Sequence, residues 1–238
     1  MRYVLLHAFP LDAAMWSEVA DLLSSAGHDV VAPDLRGFGR APLGDDMPDL
    51  ERMADDVVPL LDERPAILVG CSMGGYVALA IARRRPELVA GLALVDTKAT
   101  ADPQPARDNR ERVAELAEAG GDWSAGMLEG LLGETTRVTR PDAVAFVRER
   151  LARAPAPTVA WAQRAMAARP DAREGLGALG VPIVVVVGDE DTVSPLAEQE
   201  LILDAATSAR LVVIPAAGHL TPLEAPEAVG AALLELAP

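Results

Sequence analysis

Crosslinks and metal clusters are the first things this 238-residue chain lacks. A single cysteine, Cys71, excludes an internal disulfide framework, and no Cys/His cluster has the spacing of a structural zinc site. Aromatic residues make up only 3% against 50% apolar overall, so the interior must be filled by Ala, Val and Leu. Basic surplus is missing too. A formal charge of −15 argues against binding nucleic acid or an anionic membrane, both of which rely on basic surface to displace counterions. No stretch approaches the roughly 18 apolar residues of a membrane helix. The longest candidate, Val181–Val187, contains Pro182 and ends at Gly188. Met1–Trp16 carries no charged leader before a long apolar run; His7, Pro10 and Asp12 break it. The expectation is a soluble, cytoplasmic protein in which nothing requires a metal.

What is present is a regular alternation. Six strand-sized apolar runs occur at Tyr3–His7, Asp29–Ala32, Ala66–Gly70, Gly91–Val95, Ile183–Val187 and Arg210–Ile214. They are continuously apolar rather than alternating, as strands buried on both faces of a parallel sheet should be. Helical patterns lie between them at Trp16–Ala26, Leu50–Leu61, Gly74–Arg84, Leu196–Leu203 and Pro226–Leu236. The βαβ order predicts a doubly wound α/β fold with a mainly parallel sheet of about six strands. Ligands bind such sheets beyond the carboxyl ends of the strands, so functional residues should sit just after strands.

Residues 97–180 break the alternation with helical stretches at Pro105–Ala119, Ala125–Leu132, Pro141–Ala154 and Thr158–Ala168. This predicts a core from residues 1–96 and 181–238, with a helical cap or lid, 97–180, inserted between core strands. The insert also differs electrically. Residues 97–175 hold 12 Lys/Arg and 12 Asp/Glu, leaving 9 basic and 24 acidic residues elsewhere.

The strongest local signal is Gly70-Cys71-Ser72-Met73-Gly74, with a buried strand before it and an amphipathic helix after it. A serine held in a sharp strand-to-helix turn needs neighbours without bulk, so that Oγ projects at the sheet edge. Gly70 and Gly74 meet that need, and Gly75 lets the helix pack closely. Ser72 is therefore the candidate nucleophile. Cys71 reads as a small buried residue beside it.

Only three histidines are available as a base. His219 follows the last strand in Gly218-His219-Leu220, where a loop can carry its ring over the sheet edge. His28 precedes a strand and reads as a surface residue at the opposite edge. For the acid, Asp189, Glu190 and Asp191 follow the fifth strand. Asp191 is preferred because it lies far enough beyond the strand to reach a histidine, and Asp96, after the fourth strand, is the alternative. The order Ser, Asp, His suits this topology. Two backbone N–H groups must hold the oxyanion, and Met73 and Phe9 are the candidates; Pro10 cannot donate.

Together His7-Ala8-Phe9-Pro10, Asp34-Leu35-Arg36-Gly37-Phe38-Gly39-Arg40, Gly70–Gly74, Gly188–Asp191 and Gly218-His219 resemble the α/β-hydrolase superfamily over essentially the whole chain. The likeness is greatest to its small esterase and lactonase branch, which includes 3-oxoadipate enol-lactonase-like and carboxylesterase-like members. That resemblance implies a helical lid, no cofactor and a small-molecule ester or lactone as substrate. Two positions depart from it: Ala8 stands where glycine is usual, and Ala41 where serine is frequent. The chain also starts at the first motif strand, so two leading strands of longer relatives are not seen. His7 and Arg36 read as loop-bracing groups.

The expected chemistry is acyl transfer, with Ser72 attacking a carbonyl, His219 taking its proton and Asp191 orienting the imidazole. A thioesterase or a C–C bond hydrolase would use the same three residues. A cofactor-free perhydrolase or lyase, or a non-catalytic binding module, would use the same fold. Met127, Leu128, Leu131, Phe146, Trp161 and Met166 of the insert are candidates to face the substrate. The insert's arginines hint at an anionic substrate, but they are interleaved with acids.

Overall fold

A computed structural model of the chain describes residues 1–237, so Pro238, the end of the expected second core segment, lies outside the described residues. Six strands form one sheet: β1 (Arg2–Leu6), β2 (Asp29–Val31), β3 (Ala66–Cys71), β4 (Val89–Val95), β5 (Ile183–Gly188) and β6 (Ala209–Ile214). Their order across the sheet is β2-β1-β3-β4-β5-β6, and every pairing is parallel.

Helices α1 (Ser17–Ser25), α2 (Leu50–Val57) and α3 (Met73–Arg84) follow β1, β2 and β3 in turn. Between β4 and β5 come α4 (Gln104–Glu118), α5 (Met127–Leu131), α6 (Glu134–Thr139), α7 (Pro141–Arg153), α8 (Ala156–Ala167) and α9 (Arg173–Ala178). Then α10 (Leu196–Ala205) leads to β6, and α11 (Thr221–Glu224) and α12 (Pro226–Leu234) close the chain.

Successive strand residues point to opposite faces, and the core divides accordingly. Val4, Leu6 and Leu68 pack with Met53 of α2, Val77 of α3 and Ile202 of α10. Tyr3, Leu5, Ile67 and Val69 pack with Val19 and Leu23 of α1 and Val229 and Leu233 of α12. Coverage on both faces is why β3 and β5 are buried along their whole length and read as unbroken apolar runs.

The pattern Leu50–Leu61 predicts one helix, but α2 ends at Val57 and a 3₁₀ turn, Val58–Leu61, takes over. Pro59 has no N–H to continue the α-helical ladder. The short helices α6 and α9 give too few turns for a period to show in the sequence. His28, expected at the surface, is half-buried, with its ring edge-on to Tyr3.

The chain runs from β1 outward to β2, then returns to place β3 on the other side of β1. The order therefore reverses between β1 and β3, and the loops leaving these two strands open a crevice at the sheet's carboxyl edge. Phe9 lies on one loop and Ser72 on the other.

Candidate active site

Ser72 follows β3 with φ 51° and ψ −113°, a backbone conformation that side chains rarely adopt. The surroundings impose it. Ser72 N–H donates to the Val95 carbonyl at 3.0 Å, and the Ser72 carbonyl accepts from Thr97 Oγ1 at 2.7 Å. A Cβ on Gly70 would overlap the Gly74 carbonyl, and one on Gly74 would overlap the Leu6 carbonyl. The two glycines thus let strand, turn and helix approach more closely than any side chain allows.

His219 stands in the loop after β6, buried. Its Nε2 lies 2.8 Å from Ser72 Oγ and its Nδ1 lies 2.9 Å from Asp191 Oδ2. The loop is fixed by Glu224, whose Oε2 accepts from Gly218 N–H at 2.9 Å and whose Oε1 accepts from Leu220 N–H at 3.0 Å. Asp191 is held by its own turn. Its Oδ1 accepts from Val193 and Ser194 N–H at 2.7 and 2.9 Å, and Ser194 Oγ lies 3.1 Å from both Asp191 Oδ2 and His219 Nδ1. Ser194 and Glu224 escaped sequence reasoning because neither belongs to a motif; each acts by holding a neighbour.

Burial is the largest influence on His219 and opposes its protonation, but the charge and hydrogen bond of Asp191 outweigh it and raise its pKa above 6.5. Burial would likewise raise Asp191, and His219 together with the two backbone donors brings it below the usual carboxylate range.

Asp96, the alternative acid, is fully buried but turned to other partners. Its Oδ1 accepts from Gly188 N–H at 3.2 Å, and its Oδ2 from Thr221 N–H at 2.9 Å and Thr221 Oγ1 at 2.7 Å. It ties the exits of β4, β5 and β6 together. Burial and the nearby charge of Asp191 push its pKa up to about 8. The structure thus brings Asp191, and not Asp96, to His219.

Neither Phe9 N–H nor Met73 N–H donates to an acceptor among the described residues. Phe9 lines the cavity that opens on Ser72, and Met73 directly follows the serine. His7 and Arg36 brace the same rim. The buried His7 ring accepts from Leu35 N–H at 2.8 Å through Nε2 and lies 3.0 Å from the Ala8 carbonyl through Nδ1. Arg36 spans Asp56 at 2.8 Å and Asp46 at 2.7 Å.

A cavity of about 320 Å³ opens on Ser72 and His219. Of the six residues proposed to face substrate, Met127, Leu131 and Met166 line it. The other three do not. Trp161 turns to the Asp46 carbonyl, to which its Nε1 donates at 2.8 Å. Phe146 lies under the Arg150 guanidinium, 3.8 Å from its ring centroid, beside an outer groove. Leu128 packs against the core on the α1 and α12 side. Helical apolar spacing could not tell a side chain that faces the cavity from one that packs on the core or lies at an outer groove. Tyr76, Lys98, Asn109, Arg110 and Gln163 also line the cavity and carry no motif.

Comparison with known proteins gives a consistent result. Residues 4–226 match a family model described as alpha/beta hydrolase fold. The chain is 30% identical to a pimeloyl-[acyl-carrier protein] methyl ester esterase of Aeromonas hydrophila, over 91% of this chain and 87% of that one. A protein of the same name from Neisseria meningitidis serogroup C is 31% identical, over 97% and 91%. A thermophilic esterase from Thermogutta terrifontis, solved with malate bound, superposes with a TM-score of 0.93 at 39% identity, over 99% and 88%. The enol-lactonase from Burkholderia xenovorans LB400 shares the fold, with a TM-score of 0.89 at 24% identity, over 99% and 90%.

Proposed function

The chain belongs to the α/β-hydrolase fold family, and from that premise we propose that it cleaves a carboxylic ester or lactone of a small molecule through an acyl-enzyme on Ser72. The observation that carries this reading is the line from Ser72 Oγ through His219 to Asp191, at 2.8 and 2.9 Å, opening on a cavity. His219 Nε2 takes the Ser72 proton as Oγ attacks the carbonyl, and the Phe9 and Met73 N–H groups receive the developing oxyanion. His219 then gives that proton to the leaving alcohol. Water, deprotonated by the same nitrogen, releases the acid. Asp191 keeps Nδ1 protonated so that Nε2 faces Ser72 as acceptor.

Residues 97–180 serve in this reading as the lid, since α4, α5 and α8 supply much of the cavity wall. The names of the relatives favour an ester over a thioester or C–C bond, which the same three groups could cleave. A fluorophosphonate probe with intact-mass analysis tests the proposal. Stoichiometric labelling of the wild type, with no labelling and no ester turnover in Ser72→Ala, is expected. Retained turnover in Ser72→Ala would remove Ser72 from the mechanism, and an unlabelled wild type would favour a binding module.

A further inference from the structure

The sequence contains one lysine, Lys98, among 20 arginines, and it lines the cavity that opens on Ser72. Its place is set by the same contacts that build the serine turn. Lys98 follows Thr97, whose hydroxyl donates to the Ser72 carbonyl, so its stem leaves the backbone beside the nucleophile. The residue is half-buried. In a chain with 36 carboxylates, Lys98 has neither an ion pair nor a side-chain hydrogen bond among the described residues. Its charge reaches the site nonetheless, since it opposes protonation of His219.

The second cation of the lining is Arg110, from α4. Its Nε pairs with the buried Asp102, and one of its terminal nitrogens lies 3.1 Å from Gln163 Oε1. Asp102 does not neutralise it alone, because its other oxygen is held by the buried Arg169 at 2.7 Å. Arg169 in turn stacks over Tyr76, 4.0 Å from the ring centroid. One carboxylate therefore serves two guanidiniums, and Lys98 adds a third cation with no carboxylate of its own. Glu198 also acts on Arg169, but it accepts from Thr100 at 2.9 Å and does not line the cavity. Phe9, Val113, Met127, Leu131 and Met166 supply apolar wall to the same cavity. Two cations in the wall of one partly apolar cavity, inside a molecule of net charge −15, are an arrangement for selecting an anion.

We propose that the cavity takes esters whose acyl part ends in a second carboxylate, which Lys98 and Arg110 hold while the ester carbonyl lies at Ser72. The proposal rests on the esterase reading above and narrows its substrate to half-esters of dicarboxylic acids and lactones of like charge. Lys98 is the specificity-determining group. Its replacement strands no internal partner, whereas changing Arg110 would unbalance Asp102 and Arg169.

The test compares the monomethyl and dimethyl esters of succinic, glutaric and adipic acid by methanol release. The wild type should favour at least one monoester by about 10- to 100-fold in kcat/KM, the range of a charge-assisted contact. Lys98→Gln should collapse that ratio mainly through KM, and Lys98→Arg should keep most of it. A wild type that turns over the diesters as well as the monoesters, or a ratio untouched in Lys98→Gln, overturns the subsite while leaving the esterase reading intact. If no ester is cleaved and the fluorophosphonate leaves Ser72 unlabelled, the esterase reading fails. Calorimetry with glutarate then decides the subsite: binding lost in Lys98→Gln supports it, and no binding to the wild type overturns it.

Discussion

The imidazole of His219 faces two requirements that pull against each other: it must be buried to meet Ser72 without water, yet burial alone would starve it of protons. Asp191 resolves the conflict by raising its pKa above 6.5. Only the neutral ring accepts the serine proton, so kcat/KM should fall toward acid along a limb centred above 6.5. A limb centred below that value would contradict the Asp191 interaction. The two aspartates should then separate cleanly by kinetics. Asp191→Asn leaves Nδ1 facing an amide and should lower kcat by about 10⁴-fold, as loss of the orienting carboxylate does in other serine hydrolases. Asp96→Asn touches no atom of the imidazole and should cost far less. Equal losses in the two variants would give Asp96 a share of the acid's role.

At the scale of elements, the serine turn sets propensity against packing. Gly74 lies in the first turn of α3, where alanine would ordinarily favour the helix by about 1 kcal/mol. A Cβ there overlaps the Leu6 carbonyl at the end of β1, which is backbone and cannot swing aside. Packing should win: Gly74→Ala is expected to lose about 1–3 kcal/mol, lowering Tm by several degrees, and to depress turnover further by displacing Ser72. Thermal unfolding with a parallel esterase assay checks both, and a raised Tm would refute the argument. The same contrast explains which elements were legible in the sequence. The inner strands β1, β3, β4 and β5 showed because burial on both faces leaves a continuous apolar run, and the half-exposed edge strands β2 and β6 showed through their short β-branched runs in the βαβ order. Gly70–Gly74 showed because steric need dictates residue type at fixed spacing. The rotation of the insert helices did not show, since it depends on partners far away in sequence. Trp161 is turned from the cavity by a carbonyl at Asp46, and Lys98 gains its meaning only from α4 folding over it.

The molecule as a whole carries its acidity in carboxylates that titrate in opposite directions. Asp34, Asp102 and Asp191 are held below their ordinary values: burial alone would raise each, and backbone donors, arginines or His219 more than offset it. Their stabilisation is complete above the unfolded value of 3.8 and is lost as pH falls through their folded values. Asp96 works the other way. With a folded pKa of about 8 against 3.8 unfolded, the native state keeps a proton that the unfolded chain has released, so stability declines between those two values as pH rises. The wild type should therefore climb in Tm as pH rises to about 5 and then slope downward toward 8. Asp96→Asn cannot release a proton. It should begin lower, because an amide nitrogen cannot accept from Thr221 or Gly188, yet lose the downward slope. Tm measured for both proteins at half-unit steps from pH 5 to 8 decides the matter. Parallel curves would mean that the three donors on Asp96 hold it ionised, and that the exits of β4, β5 and β6 are joined around a buried negative charge.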